Sequence, residues 1–258
     1  MQLDKIVHLE NYPVDQQAFT DECKQKLDSS GALVLPNFLS SQAIEEIVQE
    51  GLENQHLAFY STSSHNVYLK NSDPLFPADH VRNKEVKSSK GCITDDQIPT
   101  DSPLRTLYDS AVFRDFLAQI FGEEKLHNYA DDLSSINLHY ASEGQELGWH
   151  FDESSFAITL LLQAPKAGGV FEYVENMRDA DKGEMNFEGV KAVLNGTQTV
   201  KKLEASAGTL SLFRGRNAIH RVTPTEGDIT RMLVVLAYNS QPDVALSESA
   251  RMTFYGRT

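Results

Sequence analysis

The chain has 258 residues, a formal net charge of −14 and a sequence pI near 4.9. That excess of carboxylates repels phosphate backbones and weighs against a nucleic-acid partner, so a small-molecule partner is expected, and the length suffices for one domain with a large core. No run of about eighteen apolar residues occurs and the N-terminus lacks a basic region followed by an apolar stretch; no membrane association is expected, and a reducing cytoplasm is the default location.

In chain order, Val14 to Asp28 places Phe19, Cys23 and Leu27 four residues apart, which marks one face of a helix that Ser29-Ser30-Gly31 ends. Ala32 to Leu35 then reads as a short buried strand. Ser40 to Glu53 reads as an amphipathic helix with Ile44, Ile47, Val48 and Leu52 inward. Residues 61–101 are polar and interrupted by Pro74, Pro77 and Pro99, which predicts a long irregular segment. His65, Tyr68, His80 and Arg82 lie in it as candidate substrate contacts, Arg82 foremost. Ser102 to Phe121 returns to helical spacing, with Leu104, Leu107, Tyr108, Val112, Phe116 and Ile120 on one stripe. Cys23 falls in a helix and Cys92 in the polar segment, with no paired spacing, so neither predicts a disulfide.

From Ser134 the period becomes two. Ile136, Leu138 and Tyr140 alternate with Asn137 and His139, so a strand sends one set to a core and the other to a second face, where Asn137 and His139 are pocket candidates. Just upstream, Asp132 in the pair Asp131-Asp132 could meet a substrate amine, or belong to a solvated turn. Gly168-Gly169 predicts a tight turn into the strand Val170 to Val174, and residues 175–198 read as an excursion between strands. Glu172 reads as an outward residue of that strand, and Trp149 as packing. Thr159 and Thr209 lie on strand-like runs and carry hydroxyls suited to a carboxylate.

The chemistry gathers on Gly148-Trp149-His150-Phe151-Asp152, His220 and Arg231. Side chains at i and i+2 of a strand share a face, so His150 and Asp152 can enter one cavity, and His220 can join them from a later strand. Two imidazoles and one carboxylate suit Fe(II) better than structural zinc, and leave positions open on the metal. Arg231 opens the apolar run Met232 to Tyr238. Its planar guanidinium suits a ligand carboxylate. Phosphate-cradling, nucleophile-elbow, dinucleotide-binding and HEXXH patterns are absent.

This order resembles the Fe(II)- and 2-oxoglutarate-dependent oxygenases over about residues 136–238. Around Glu146 to Gln163 and Ala167 to Tyr173 it is similar to small bacterial enzymes that halogenate or hydroxylate free amino acids, lysine among them. The resemblance implies a mainly β fold with flanking helices: a double-stranded β-helix (jelly-roll, cupin-like) core at about residues 131–258, behind a helical and loop part at about 1–130, all one domain. It implies His150, Asp152 and His220 as iron ligands, and 2-oxoglutarate held by Arg231 with Asn137 and Thr159 as further contacts. His139, Arg82 and Asp132 are the substrate candidates, and residues 61–101 a cover over the site. The cosubstrates are 2-oxoglutarate and O2, giving succinate and CO2.

Two departures from the pattern matter. The serine often found two residues after the arginine is replaced by Leu233, which leaves a second carboxylate anchor unassigned. Asp152 stands where the resembling halogenases carry glycine or alanine to admit chloride, so hydroxylation is the implied outcome. The implied substrate is a free amino acid, lysine first. A carrier-bound amino acid, another metabolite, or a non-catalytic cupin-like metal or 2-oxoglutarate sensor are the alternatives.

Overall fold

A computed structural model describes residues 2–258. Ten strands run along one path: β1 (Ala32–Leu35), β10 (Thr209–Phe213), β6 (Ala157–Gln163), β13 (Arg231–Leu236), β4 (Ile136–Ala141), β3 (Glu85–Ile93), β5 (Leu147–His150), β11 (Ile219–Val222), β8 (Phe171–Val174) and β9 (Lys201–Leu203). All pairings along it are antiparallel, and β2 (Phe59–Asn66) adds to β3 as a hairpin arm. A two-stranded ribbon joins β7 (Ala167–Gly168) to β12 (Thr225–Glu226). The path curls into a nearly closed double-stranded β-helix, or jelly roll, with helices on one face, as expected.

Strand alternation decides which face is which. Ile136, Leu138 and Tyr140 on β4, Met232, Val234 and Leu236 on β13, and Ile158, Leu160 and Leu162 on β6 are all buried in one apolar cluster with the helices. The alternate residues, His139, Leu233, Val235, Thr159 and Leu161, point the other way and line a cavity. One face of the sheet thus makes the core, and the other is free for chemistry.

The helices are α1 (Gln17–Ser30), α2 (Ser41–Asn54), α3 (Pro103–Asp109), α4 (Ala111–Phe121), α5 (Phe187–Leu194) and α6 (Glu248–Tyr255). Ser40 caps α2 by accepting the Ala43 N–H at 3.2 Å. Phe19 of α1 stacks on Phe116 of α4 at 5.7 Å, which ties the first helix to the fourth. Among the described residues no helix is long and apolar enough to cross a membrane.

Four expectations change. Ser102 to Phe121 is two helices, because Ser110 has extended backbone (ψ 117°) and its hydroxyl caps the second by accepting from Phe113. The break resets the helical phase, and Val112 is exposed. On α2 it is Gly51, not Leu52, that meets the sheet: the Tyr140 hydroxyl donates to the Gly51 carbonyl at 2.6 Å, whereas Leu52 is exposed. Residues 61–101 are not irregular throughout, since β2 and β3 form a long hairpin. Ser, Thr and Lys on both of its faces hide the period of two that a half-buried strand displays. Cys92 therefore sits within β3, and it and Cys23 are buried free thiols that burial pushes up to about 11.

Candidate metal centre

His150 closes β5 and lies directly opposite His220 on β11. Their rings are 4.2 Å apart between centroids. Asp152 follows just beyond the strand, with Oδ1 3.7 Å from His150 Nε2 and 3.4 Å from His220 Nε2. One ligand atom from each residue lies within 4.8 Å of the others, a spacing that a single metal ion spans.

Both imidazoles are aimed by their own strands. The His150 Nδ1–H donates to the Gly148 carbonyl at 2.8 Å and the His220 Nδ1–H to the Ala218 carbonyl at 3.0 Å. Each Nε2 is thereby turned toward Asp152 and the space the three side chains share. Burial, and then the charge of His220, hold His150 well below the ordinary histidine value, so it is a neutral donor. Burial also opposes charge on His220, but Asp152 beside it outweighs this and raises His220. Burial alone would raise Asp152, yet the two histidines, His220 first, keep it below the usual carboxylate value. The three side chains converge on one space, and Asp152 Oδ2 is buried without a hydrogen-bond partner. An orphaned carboxylate oxygen in such a place fits a metal ion.

The backbone around Asp152 is clamped. Phe151 N–H donates to the Val67 carbonyl at 2.9 Å, and Asp152 N–H to the Gly215 carbonyl at 3.1 Å. Arg178 lies 4.1 Å over the Phe151 ring and donates to the Arg216 carbonyl, while Arg216 reaches the Glu153 carbonyl at 3.0 Å. The excursion at 175–198, with α5 in it, therefore braces the ligand loop. A Cβ at Gly215 would overlap Asp152 Oδ2. Gly215→Ala should therefore displace the carboxylate and lower Mn(II) affinity about 10- to 100-fold, the range for losing support behind a ligand. Unchanged metal binding in a titration would show that Asp152 does not need this space.

The β2–β3 hairpin holds the other side. Ser88 Oγ accepts the Gly148 N–H at 3.0 Å and bonds His65 Nε2 at 2.7 Å, and the His65 ring meets His150 edge-on at 6.2 Å. Thus His65 supports the ligand strand.

A cavity of about 700 Å³ opens from the triad into the barrel. Arg231, the first residue of β13, lines it with Thr159 and His139. Among the described residues no hydrogen bond or ion pair holds the Arg231 guanidinium, and burial pushes it down to about 10, still charged at neutral pH. Gly168 and Gly169 both have positive φ (65° and 60°), and a Cβ at Gly169 would press on the Arg231 side chain.

Other candidates lie elsewhere. Asn137 shares the inward face of β4, but its amide donates to the Leu133 and Ile136 carbonyls and accepts from the Tyr255 hydroxyl of α6, outside the cavity lining. Asp132 is exposed on its turn. Arg82 donates to the Asn71 carbonyl and lies 5.7 Å over Tyr68, which stacks on Phe151; it is not part of the lining. His80 packs on Phe76, and Thr209 is buried against Ser206, so Ser211 rather than Thr209 faces the cavity. Glu172 is not an ordinary outward residue: it lies outside the cavity lining but is buried, paired with Arg221, which also covers Trp149. Lys90, unmarked in the sequence, does enter the lining, with its Nζ 3.1 Å from His139 Nε2.

The family model described as Halogenase D matches residues 14–254. The chain belongs to that family. No curated protein sequence matches it. Similar solved structures include an oxidoreductase of the 2OG-Fe(II) oxygenase family from Burkholderia pseudomallei, with 13% identity, 87% of this chain and 92% of that chain covered, and a TM-score of 0.54. A prolyl hydroxylase from Trichoplax adhaerens, in complex with a hypoxia inducible factor peptide fragment, gives 14%, 89%, 91% and 0.55. The epimerase SnoN from nogalamycin biosynthesis, solved with Fe3+ and alpha ketoglutarate, gives 11%, 86%, 84% and 0.56. At such identities the likeness of this Halogenase D member to them is one of fold.

Proposed function

We propose that this Halogenase D member is an Fe(II)- and 2-oxoglutarate-dependent oxygenase that hydroxylates an unactivated carbon of a small polar metabolite, a free amino acid first among them. The balance is substrate C–H, 2-oxoglutarate and O2 giving substrate C–OH, succinate and CO2. The observation that carries the hydroxylase reading is Asp152: its carboxylate completes the set with His150 and His220, so no protein ligand position is left for a halide.

Iron with 2-oxoglutarate and O2 supplies the oxidising chemistry, and the protein supplies position and dryness. His150, Asp152 and His220 hold the metal on one side. Arg231 on β13 brings to the same cavity a guanidinium that, among the described residues, no hydrogen bond or ion pair holds, suited to the carboxylate of the cosubstrate that lies farthest from iron. Leu161, Val222, Phe171, Phe213 and Val235 exclude water from the space between. His139, held well below the ordinary histidine value by burial and then by Lys90 and Arg231, is a neutral wall residue there and no general acid.

The lining sets the amino acids to test. Lys166 and Lys202 join Lys90 and Arg231 in it, and Glu204 is its one carboxylate besides Asp152. This favours a substrate that presents its own carboxylate to the cavity wall. Incubation of each free amino acid in chloride buffer with Fe(II), 2-oxoglutarate and air, lysine first and then the acidic ones, should give succinate that depends on one of them. Mass spectrometry should show that product heavier by one oxygen. A chlorinated product would contradict the reading of Asp152.

A further inference from the structure

We propose that Lys90 is a second anchor for the far carboxylate of the cosubstrate, sharing that carboxylate with Arg231. This rests on the reading that the cavity takes 2-oxoglutarate. Gly91 of β3 pairs with Tyr140 of β4, and Tyr140 with Met232 of β13; one step further out, Ala141 pairs with Arg231. Lys90, next to Gly91 and also lining the cavity, falls in the same cross-strand row as Ala141 and Arg231. The two cations thus stand at one level of the barrel, separated by a strand whose side chain there is a single methyl group.

Neither cation has an anionic partner within ion-pair distance among the described residues. Among the described residues the polar contact of Lys90 Nζ is the His139 ring, at 3.1 Å from Nε2. That imidazole stays neutral and accepts one ammonium hydrogen, so two donors of Lys90 remain free. Lys90, His139 and Arg231 all line the same cavity, with the Lys90 ammonium against the His139 ring, and burial lowers both cations. Two cations lining one cavity wall, a strand apart, are each stabilised by an anion between them. A carboxylate there accepts the planar fork of Arg231 on one side and the ammonium of Lys90 on the other. A substrate carboxylate is the competing occupant of Lys90, and the test separates the two.

The measurement is keto-acid binding to the Mn(II)-loaded protein by calorimetry, without turnover. Two ligands are compared, 2-oxoglutarate and 2-oxopentanoate, which keeps the chelating end and lacks the far carboxylate. Wild type should bind 2-oxoglutarate far more tightly. Lys90→Met should lose about tenfold or more for 2-oxoglutarate, as expected for a charge-assisted hydrogen bond, and little for 2-oxopentanoate. Lys90→Arg, which keeps the charge, should retain most of the affinity. If thermal melting shows that Lys90→Met does not fold, Lys90→Gln supplies the same comparison. Unchanged 2-oxoglutarate affinity in a folded Lys90 variant would overturn the proposal and give the residue to the substrate, with the cosubstrate reading intact. Equal binding of the two keto acids by wild type would overturn both.

Discussion

Replacing His220 with alanine is expected to abolish succinate formation and to weaken metal binding by more than the roughly 10- to 100-fold that losing a partner behind a ligand costs. The residue is buried and faces His150 and Asp152, and no other histidine, cysteine or carboxylate among the described residues completes a three-ligand cluster there. His150→Ala should behave alike. Both variants should still fold, because a lost hydrogen bond to the Ala218 or Gly148 carbonyl costs about 1–3 kcal/mol, less than the usual stability of a domain. Thermal melting with Mn(II) titration separates the effects. Full metal affinity in a folded His220→Ala protein would remove His220 from the ligand set.

Arg231→Ala is expected to raise the 2-oxoglutarate requirement about 100-fold or more, since two charge-assisted hydrogen bonds of roughly 1.5–3 kcal/mol each are lost. Stability should rise or stay constant. The guanidinium is buried with no ion pair of its own among the described residues, so its removal deletes a desolvation cost without orphaning a partner. A residue that lowers stability while it serves a ligand is the signature of a binding site. An unchanged 2-oxoglutarate requirement would place the anchor elsewhere, and a large drop in melting temperature would make Arg231 structural.

The candidate ligands were legible because their positions follow from local rules. His150 and Asp152 are two apart at a strand end, and His220 and Arg231 each sit at or near a strand with clean alternation. The same rule put Asn137 and His139 on one face of β4, but it could not tell which part of that face is open. α6 closes one end with Tyr255, so Asn137 is bonded into the wall while His139 lines the cavity. That contact joins residues 118 apart in sequence.

Lys90 and Gly215 were illegible for a related reason. The β2–β3 hairpin is polar on both faces, so nothing local shows that it is a strand or that Lys90 turns inward. Lys90 acquires its meaning by meeting His139, 49 residues away. Gly215 matters only because Asp152 packs where its Cβ would be. The helices show the limit in miniature: the apolar stripe located α1, α2 and α4, yet Ser110 broke one predicted helix in two by capping with a hydroxyl.

If His150, Asp152, His220 and Arg231 form one site, iron and cosubstrate bind there together. Anaerobic addition of Fe(II) and then 2-oxoglutarate to the wild-type chain, followed by visible absorption, tests this directly. A weak visible band that needs both additions, that is lost in His220→Ala, and that demands far more 2-oxoglutarate in Arg231→Ala is the predicted result. A spectrum that 2-oxoglutarate leaves unchanged at saturating Fe(II) would contradict it, and would leave a metal-binding protein on the same fold.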